Sequence, residues 1–104
     1  MHPYLIVDTI SLVKIEFDPA KSEKNGRERG LPFTLVAEFD WETAIYEEDT
    51  RKRYPERRMV AVGYLGERLH FLCFSPIEGG ARIISFRKAN TQEVKEYETE
   101  TSDR

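Results

Sequence analysis

Five segments of the chain alternate apolar with polar residues, or form short apolar runs, and each predicts a β-strand. The first is residues 4–17, where the alternation is clearest from Val13 to Phe17. The other four are residues 41–46, 58–64, 69–75 and 81–86. The last three strands are joined by short connections at Gly66 and at Gly79–Gly80, and connections of this length require antiparallel neighbours. The pattern therefore predicts a meander in the second half of the chain.

Helix signals lie between these strands. Asp18 can cap a helix that has Pro19 at its first position and stops at Gly30. A second short helix opens at Pro32, and the residues on its buried side are predicted to be Phe33, Val36, Ala37 and Phe39. Residues 47–56 are polar and charged and contain a proline, which indicates an exposed loop.

A third helix is predicted from Thr91 to Glu98, because Asn90 and Glu93 have the spacing of a capping box. Residues 99–104 have no apolar side chain and are predicted to form a frayed tail. The predicted fold class is α+β, with a mostly antiparallel sheet of about four to five strands packed by two N-terminal helices and one C-terminal helix. A length of 104 residues predicts a single domain.

The charge of the chain bears on its ligands. With 16 basic and 19 acidic residues the formal net charge is −3, which disfavours nucleic acid, since phosphate contacts need cations. The two signs are segregated, however. Acidic residues concentrate in residues 38–49 and from Glu93 onward, and basic residues in segments 21–29, 51–58 and 82–88. A basic face is possible if the fold brings these three segments together.

Cysteine content and hydropathy exclude several classes. A single cysteine, Cys73, excludes an intramolecular disulfide and a cysteine-rich zinc site. It lies in the apolar run 69–74, which favours a buried thiol over a nucleophile. No apolar stretch approaches the roughly 20 residues that span a bilayer, and the N-terminus lacks the basic segment and cleavage site of a signal peptide. The sequence therefore predicts a cytoplasmic protein without membrane association.

Three motifs in register resemble those of the BrnT ribonuclease toxins of type II toxin–antitoxin systems. The first is Ile-Glu-Phe-Asp-Pro-Ala-Lys at residues 15–21, followed by Asn25 and Gly30. The second is Arg58 with Gly63 five positions later. The third is Arg-Ile-Ile-Ser-Phe-Arg-Lys-Ala at residues 82–89, followed by Glu93 and Tyr97. The resemblance extends over residues 14–98, and residues 1–12 are predicted to be an N-terminal extension.

The resemblance implies a RelE-like fold and RNA cleavage without a metal ion or cofactor. It also implies a BrnA-like antitoxin that neutralises the toxin and represses their shared operon, so that the toxin contacts operator DNA only through the antitoxin. One departure concerns residues 28–30, where the family usually has Lys-His-Gly and this chain has Glu28, Arg29 and Gly30. Arginine stays protonated, so Arg29 can bind phosphate but is a poor general base.

Two alternatives therefore stay open. One is a catalytically weak or inactive BrnT-like binding module that acts in an antitoxin–operator complex. The other is an unrelated small α+β structural protein.

Cleavage of RNA by its own 2′-hydroxyl needs a base, cations around the charged phosphorane and an acid for the leaving oxygen. The predicted catalytic residues are Lys21, Arg58, Arg82 and Glu93, and the predicted RNA contacts are Arg29, Arg53, Arg87 and Lys88. Arg82 and Arg87 are five positions apart and would point to opposite faces of a regular strand. Arg58, at the start of a neighbouring strand, could reach the same groove as Arg82.

Each candidate also has a purely structural interpretation. Arg82 could form a structural ion pair, Lys21 could solvate its helix, and Arg53 could belong to a solvated loop with Arg51 and Lys52. Glu93 could complete the capping box, orient Arg82 or Arg87, or act as the base. Tyr97 is predicted to pack on the sheet. His70 is predicted to make a cross-strand polar contact, the alternative being that it replaces the missing histidine.

Overall fold

Five strands form one sheet, in the order β1-β5-β4-β3-β2, in a computed structural model that describes residues 14–102. The strands are β1 (Lys14–Glu16), β2 (Ile45–Glu48), β3 (Met59–Leu65), β4 (Arg68–Ile77) and β5 (Gly80–Lys88). Strands β2 to β5 pair antiparallel in succession, whereas β1 pairs parallel with β5. The α+β class and the meander are confirmed. The predicted N-terminal extension and the part of the first predicted strand before Lys14 lie outside the described residues.

The N-terminal helix begins and ends where the sequence predicts. This helix, α1, spans Pro19–Arg29. The Asp18 carboxylate accepts a hydrogen bond from the Ala20 N–H at 2.9 Å. At the other end Gly30, with φ 71°, donates its N–H to the Gly26 carbonyl. A left-handed residue of this kind is favoured as glycine, so the local sequence signals suffice to define α1.

The second predicted helix is a short 3-10 helix, Phe33–Glu38. Phe33, Val36 and Phe39 are buried as predicted, but Ala37 is exposed. A 3-10 helix repeats every three residues, so positions 33, 36 and 39 lie on the buried side and position 37 lies on a different, exposed side.

The strand predicted at residues 41–46 is wrong at its start, because β2 begins at Ile45. The Asp40 carboxylate accepts hydrogen bonds from the backbone N–H groups of Glu42 and Thr43 and from the Thr43 hydroxyl. These contacts fold residues 41–43 into a turn and keep them out of the ladder. The strand instead runs two residues into the predicted loop.

Apolar clusters lie on both faces of the sheet. The main core joins one face to the 3-10 helix and the segment after it, through residues that include Phe33, Val36, Trp41, Leu72 and Phe74. The smaller cluster joins the other face to the C-terminal helix α2 (Thr91–Thr101), through Val62, Leu69, Ala89 and Tyr97. Within residues 14–102 neither α-helix is long and apolar enough to cross a membrane.

Helix α2 continues three residues past its predicted end, so a frayed tail is wrong for residues 99–101. The Thr101 hydroxyl donates to the Tyr97 carbonyl at 2.7 Å and satisfies one of the free carbonyls of the last turn.

A β-bulge in β5 changes which residues share a face. The pairing between β4 and β5 skips Ile84, which is the extra residue. Ile83 before the bulge and Phe86 after it both belong to the main core. Arg82 and Arg87, which flank them, therefore share the opposite face. The prediction that these two arginines point to opposite faces is wrong for this reason.

Candidate functional site

The sheet face that carries Arg82 and Arg87 is called the outer face below. Helix α2 packs over one part of it, against Val62 and Leu69. Beyond α2 the floor of the outer face is formed by small side chains of β4 and β5, at Cys73, Ser75 and Ser85. Charged residues border this floor, and the candidates Arg82 and Arg87 are among them.

Four residues form a row across this floor, one from each strand or its flank: Arg58, Ser75, Arg82 and Glu16. Ser75 pairs with Arg82, and Arg82 pairs with Glu16. The paired register of β3 and β4 ends with Met59 opposite Phe74, and one further step of this register would bring Arg58 opposite Ser75. The Ser75 hydroxyl donates to the Arg57 carbonyl at 2.6 Å, which holds this segment beside β4. Adjacent strands lie about 4.8 Å apart, so the Cα atoms of Arg58 and Arg82 are about 10 Å apart.

The prediction that Arg58 and Arg82 start neighbouring strands is wrong, because β4 lies between β3 and β5. The prediction that the two arginines reach one groove stays a prediction, and their common row favours it.

Arg82 forms an ion pair at one end of the row. Its Nη2 donates to Glu16 Oε1 at 2.8 Å, and Lys14 Nζ lies 2.9 Å from the other oxygen of Glu16. The hydrogen bond from Lys14 and the charges of Lys14 and Arg82 outweigh desolvation and lower the pKa of Glu16. The Arg82 side chain is 50% exposed despite this pair, so it keeps donors for an added anion.

Arg87 is held by Glu93, in the first turn of α2, and by Phe71 on β4. Both of its terminal nitrogens donate to Glu93 at 2.9 Å, and its Cζ lies 4.0 Å from the centre of the Phe71 ring. Glu93 also accepts from the Asn90 N–H, and Asn90 Oδ1 accepts from the Glu93 N–H, so the capping box is confirmed. Glu93 therefore both caps the helix and orients Arg87.

These contacts affect the ionisation of Glu93. Burial raises its pKa, but the hydrogen bonds from Arg87 and from the Asn90 backbone, with the charge of Arg87, outweigh burial and lower the pKa overall. A carboxylate that is stabilised in this way is a weak proton acceptor near neutral pH.

Arg58 is held differently, by an aromatic ring. Its Cζ lies 4.0 Å from the centre of the Tyr54 ring, and its buried Nε has no hydrogen-bond partner among residues 14–102. Within the same described residues no carboxylate lies within ion-pair distance of Arg58, unlike Arg82 and Arg87. The charge of Arg58 is thus the least neutralised of the three arginines on the outer face.

The Cys73 thiol shows which charges lie near the floor. Burial raises the pKa of Cys73, and Asp49 adds to this, while Arg58, Arg51 and Lys21 act in the opposite direction. Lys21 on α1 and Arg58 beside β3 therefore act electrostatically on the same point. Cys73 itself is buried, as predicted for a structural thiol.

The remaining RNA-contact candidates are spread around the sheet. Arg29, at the end of α1, is exposed and donates from Nη1 to the Phe86 carbonyl at 3.4 Å. Arg53 is exposed in the loop between β2 and β3. Lys88 is exposed and pairs with His70 in the ladder, which places it on the side opposite Arg87.

His70 lies on the main-core side of the sheet. It is 3% exposed, its ring centre is 5.4 Å from that of Phe86, and its Nδ1 lies 2.9 Å from the Arg68 carbonyl oxygen. Burial lowers its pKa. The cross-strand contact predicted for His70 is wrong, since its polar partner is in its own strand, and it cannot replace a histidine on the outer face.

Tyr97 packs on the sheet as predicted. It is 7% exposed, and its hydroxyl donates to the Thr43 carbonyl at 3.0 Å.

Two residues that the sequence analysis overlooked organise the loop beside the site. Asp49 is 7% exposed, and Tyr54 lies between its carboxylate and Arg58. An Asp at the end of a strand, with its side chain bonded to the backbone two residues on, is an Asx turn, and this pattern was the available signal. In the described part of the chain, no three His, Cys, Asp or Glu side chains are grouped to bind a metal ion.

A family model for the ribonuclease toxin BrnT of type II toxin–antitoxin systems matches residues 17–93, which is most of the chain. The chain belongs to the BrnT family. The match includes α1, strands β2 to β5 and the first turn of α2, and so contains Lys21, Arg58, Arg82, Arg87 and Glu93. The resemblance seen in the sequence is confirmed: a BrnT member is a ribonuclease toxin with an antitoxin partner. No curated protein and no solved structure gives a significant match.

Proposed function

We propose that this BrnT toxin is a metal-independent endoribonuclease that binds RNA on the outer face of its sheet and thereby inhibits translation. The observation that carries the proposal is the row that places Arg58 and Arg82 on either side of Ser75. In the proposed reaction the ribose 2′-hydroxyl loses its proton to solvent water and attacks the adjacent phosphorus. The bond from phosphorus to the 5′-oxygen breaks, a 2′,3′-cyclic phosphate forms, and the leaving 5′-oxygen takes a proton from water.

Arg58 and Arg82 stabilise the charge that develops on the phosphorane, because guanidinium groups stay protonated and donate in a planar fork that matches phosphate oxygens. Lys21 adds a third cation from α1, where it is exposed. Arg87, fixed by Glu93, holds a neighbouring part of the RNA backbone.

Glu93 is assigned to orienting Arg87 and not to proton transfer. Both of its oxygens accept hydrogen bonds from Arg87, and its pKa is lowered overall. Electrostatic stabilisation and orientation of the phosphate are therefore the main sources of rate acceleration in this proposal.

The test is cleavage of a fluorescent RNA by the purified toxin and its single variants. Arg58→Ala and Arg82→Ala should each lower kcat/KM by about 10²- to 10³-fold, the usual cost of losing a donor to a developing charge. Arg27→Ala is the matched control, since Arg27 is an exposed arginine of α1 that pairs with Glu23 away from the row. It should change the rate less than about twofold. Wild-type rates for both Arg58→Ala and Arg82→Ala would refute the proposal.

The proposed partner is a BrnA-like antitoxin, as the family resemblance implies, and operator DNA is contacted only through it. A gel-shift assay with operator DNA should show binding by the toxin–antitoxin complex and none by the toxin. Binding by the toxin without its antitoxin would contradict this part of the proposal.

A second candidate function is a BrnT-like module with weak or no cleavage that acts in the antitoxin–operator complex. It is favoured by Arg29, which stands where the family usually has histidine, and by the burial of His70 on the other side of the sheet. In that case the wild-type toxin leaves RNA intact while binding its antitoxin fully. Arg29→His would then create or raise cleavage, because an imidazole titrates near neutral pH.

A further inference from the structure

We propose that Tyr54 and Asp49 are positioning residues for Arg58. They orient its guanidinium group on the outer face so that it can bind an RNA phosphate. The inference rests on the proposed function, since it takes Arg58 to be a phosphate ligand. Tyr54 and Asp49 would touch no substrate and would act through Arg58.

Arg58 is supported differently from the other two arginines of the outer face. Arg82 and Arg87 are fixed by carboxylates, which neutralise much of their charge. Arg58 instead lies over the Tyr54 ring, 4.0 Å from its centre, and its Nε makes no hydrogen bond to any residue from 14 to 102. A ring orients a guanidinium by cation–π attraction and leaves its terminal N–H donors for an anion. Stacking therefore preserves the charge that phosphate binding needs.

Tyr54 is in turn supported by Asp49. The Asp49 side chain is only 2% exposed, and its Oδ2 accepts from the Tyr54 hydroxyl at 3.2 Å. The same carboxylate accepts from Nε, Nη2 and the backbone N–H of Arg51. These bonds hold the pKa of Asp49 far below its usual range, against the effect of burial. Asp49 is thus a buried, ionised carboxylate that fixes Arg51 and Tyr54 within the loop.

Asp49 also closes the loop between β2 and β3. Its backbone N–H donates to the Arg58 carbonyl at 2.9 Å. One residue therefore fixes both the backbone of Arg58 and the ring beneath its side chain. Among the described residues, Arg58 is the one outer-face arginine without a carboxylate partner, and the Tyr54 ring lies against it. If Tyr54 only stabilised the loop, its ring would not need to lie against this arginine.

The experiment is a double-mutant cycle on RNA cleavage with Tyr54→Leu, Arg58→Ala and the double variant. Tyr54→Leu should lower kcat/KM about fivefold, which corresponds to a cation–π contribution of about 1 kcal/mol. In the Arg58→Ala background Tyr54→Leu should have no further effect, since a positioning residue acts only through its target. Tyr54→Phe keeps the ring, and Tyr54→Trp offers a stronger one, so both should keep most of the activity. Thr50→Ala, an exposed change in the same loop, is the control.

The salt dependence of RNA binding separates positioning from loss of a charge. Arg58→Ala should reduce the slope of log Kd against log salt by about 0.7, the value for one contact to a single-stranded phosphate. Tyr54→Leu keeps the charge and should weaken binding with the slope unchanged.

The outcomes distinguish the positioning role of Tyr54 from the phosphate-binding role of Arg58. The positioning role alone would be overturned by either of two results. In one, the losses of kcat/KM in the two single variants multiply in the double variant. In the other, Tyr54→Leu is fully active while Arg58→Ala is impaired. An Arg58→Ala variant that cleaves and binds RNA as the wild type does would overturn the role of Arg58 in the proposed function, and this inference with it.

Discussion

Removal of the Asn25 side-chain amide should destabilise the protein without abolishing its chemistry. Asn25 belongs to the N-terminal motif of the family, beside the candidate Lys21, and could be mistaken for an RNA contact. Its Nδ2 instead donates to two backbone carbonyls, of Leu31 at 2.7 Å and of Phe86 at 2.8 Å. The first bond ties α1 to the chain that follows it, and the second ties α1 to β5.

The magnitude follows from these two bonds. A hydrogen bond contributes about 1 kcal/mol net, and a buried acceptor left without a donor costs about 1–3 kcal/mol. Both carbonyls lie in partly buried surroundings, where water compensates in part. Asn25→Ala should therefore lower the free energy of unfolding by about 2 kcal/mol. For a domain of this size the melting temperature should fall by about 8–16 °C.

Urea unfolding and thermal melting, both followed by circular dichroism, measure this change. Lys24→Ala, at the exposed adjacent position of α1, is the control and should stay within about 0.5 kcal/mol of the wild type. Cleavage should be assayed well below the melting temperature of the variant, where Asn25→Ala should retain a near wild-type rate. A variant that melts like the wild type, or one that is fully folded yet inactive, would refute the structural role of Asn25.

Three further predictions concern other parts of the molecule. The folded-state pKa of Glu93 is lowered, so its ion pair with Arg87 stabilises the protein above the ordinary pKa of a glutamate, and this stability is lost as the pH falls through the folded-state pKa. Glu93→Gln should lower the urea midpoint at pH 7, and the difference from the wild type should shrink as the pH falls below that ordinary pKa; a difference independent of pH would contradict this. Burial raises the pKa of Cys73, so iodoacetamide at pH 7 should label it far more slowly in the folded than in the urea-unfolded protein, and equal rates would exclude a buried thiol. A Cβ at Gly80 would overlap the Lys14 carbonyl oxygen and push β1 away from β5. Gly80→Ala should therefore lower the free energy of unfolding by about 1–3 kcal/mol. An unchanged urea midpoint would show that β1 moves without cost and would contradict this.

Features of the fold that depend on local sequence could be predicted. The cap at Asp18, the stop at Gly30 and the capping box at Asn90 each depend on contacts within a few residues, and all three are present. The two hairpin turns also have local causes, because Gly66 and Gly79 adopt φ 64° and φ 75°. Each of these signals is complete within one stretch of sequence.

The start of β2 and the strand partner of β1 could not be predicted from the alternation of apolar and polar residues. Side-chain contacts of Asp40 delay β2 to Ile45, and apolar alternation contains no information about such a turn. The parallel pairing of β1 with β5 joins residues at opposite ends of the domain. Pairing of this kind is decided by the assembled sheet and not by the local pattern.

The candidate site depends most on such contacts. A regular β5 would separate Arg82 from Arg87, and each face of the sheet would then carry one of them. The bulge at Ile84 reverses the alternation between the two arginines and leaves both on the outer face, where the register of β3 and β4 adds Arg58. Three cations from distant positions thus share one surface of a chain whose net charge is −3. Net charge therefore does not decide whether this protein binds a polyanion, because a single extra residue in one strand determines where the cations meet.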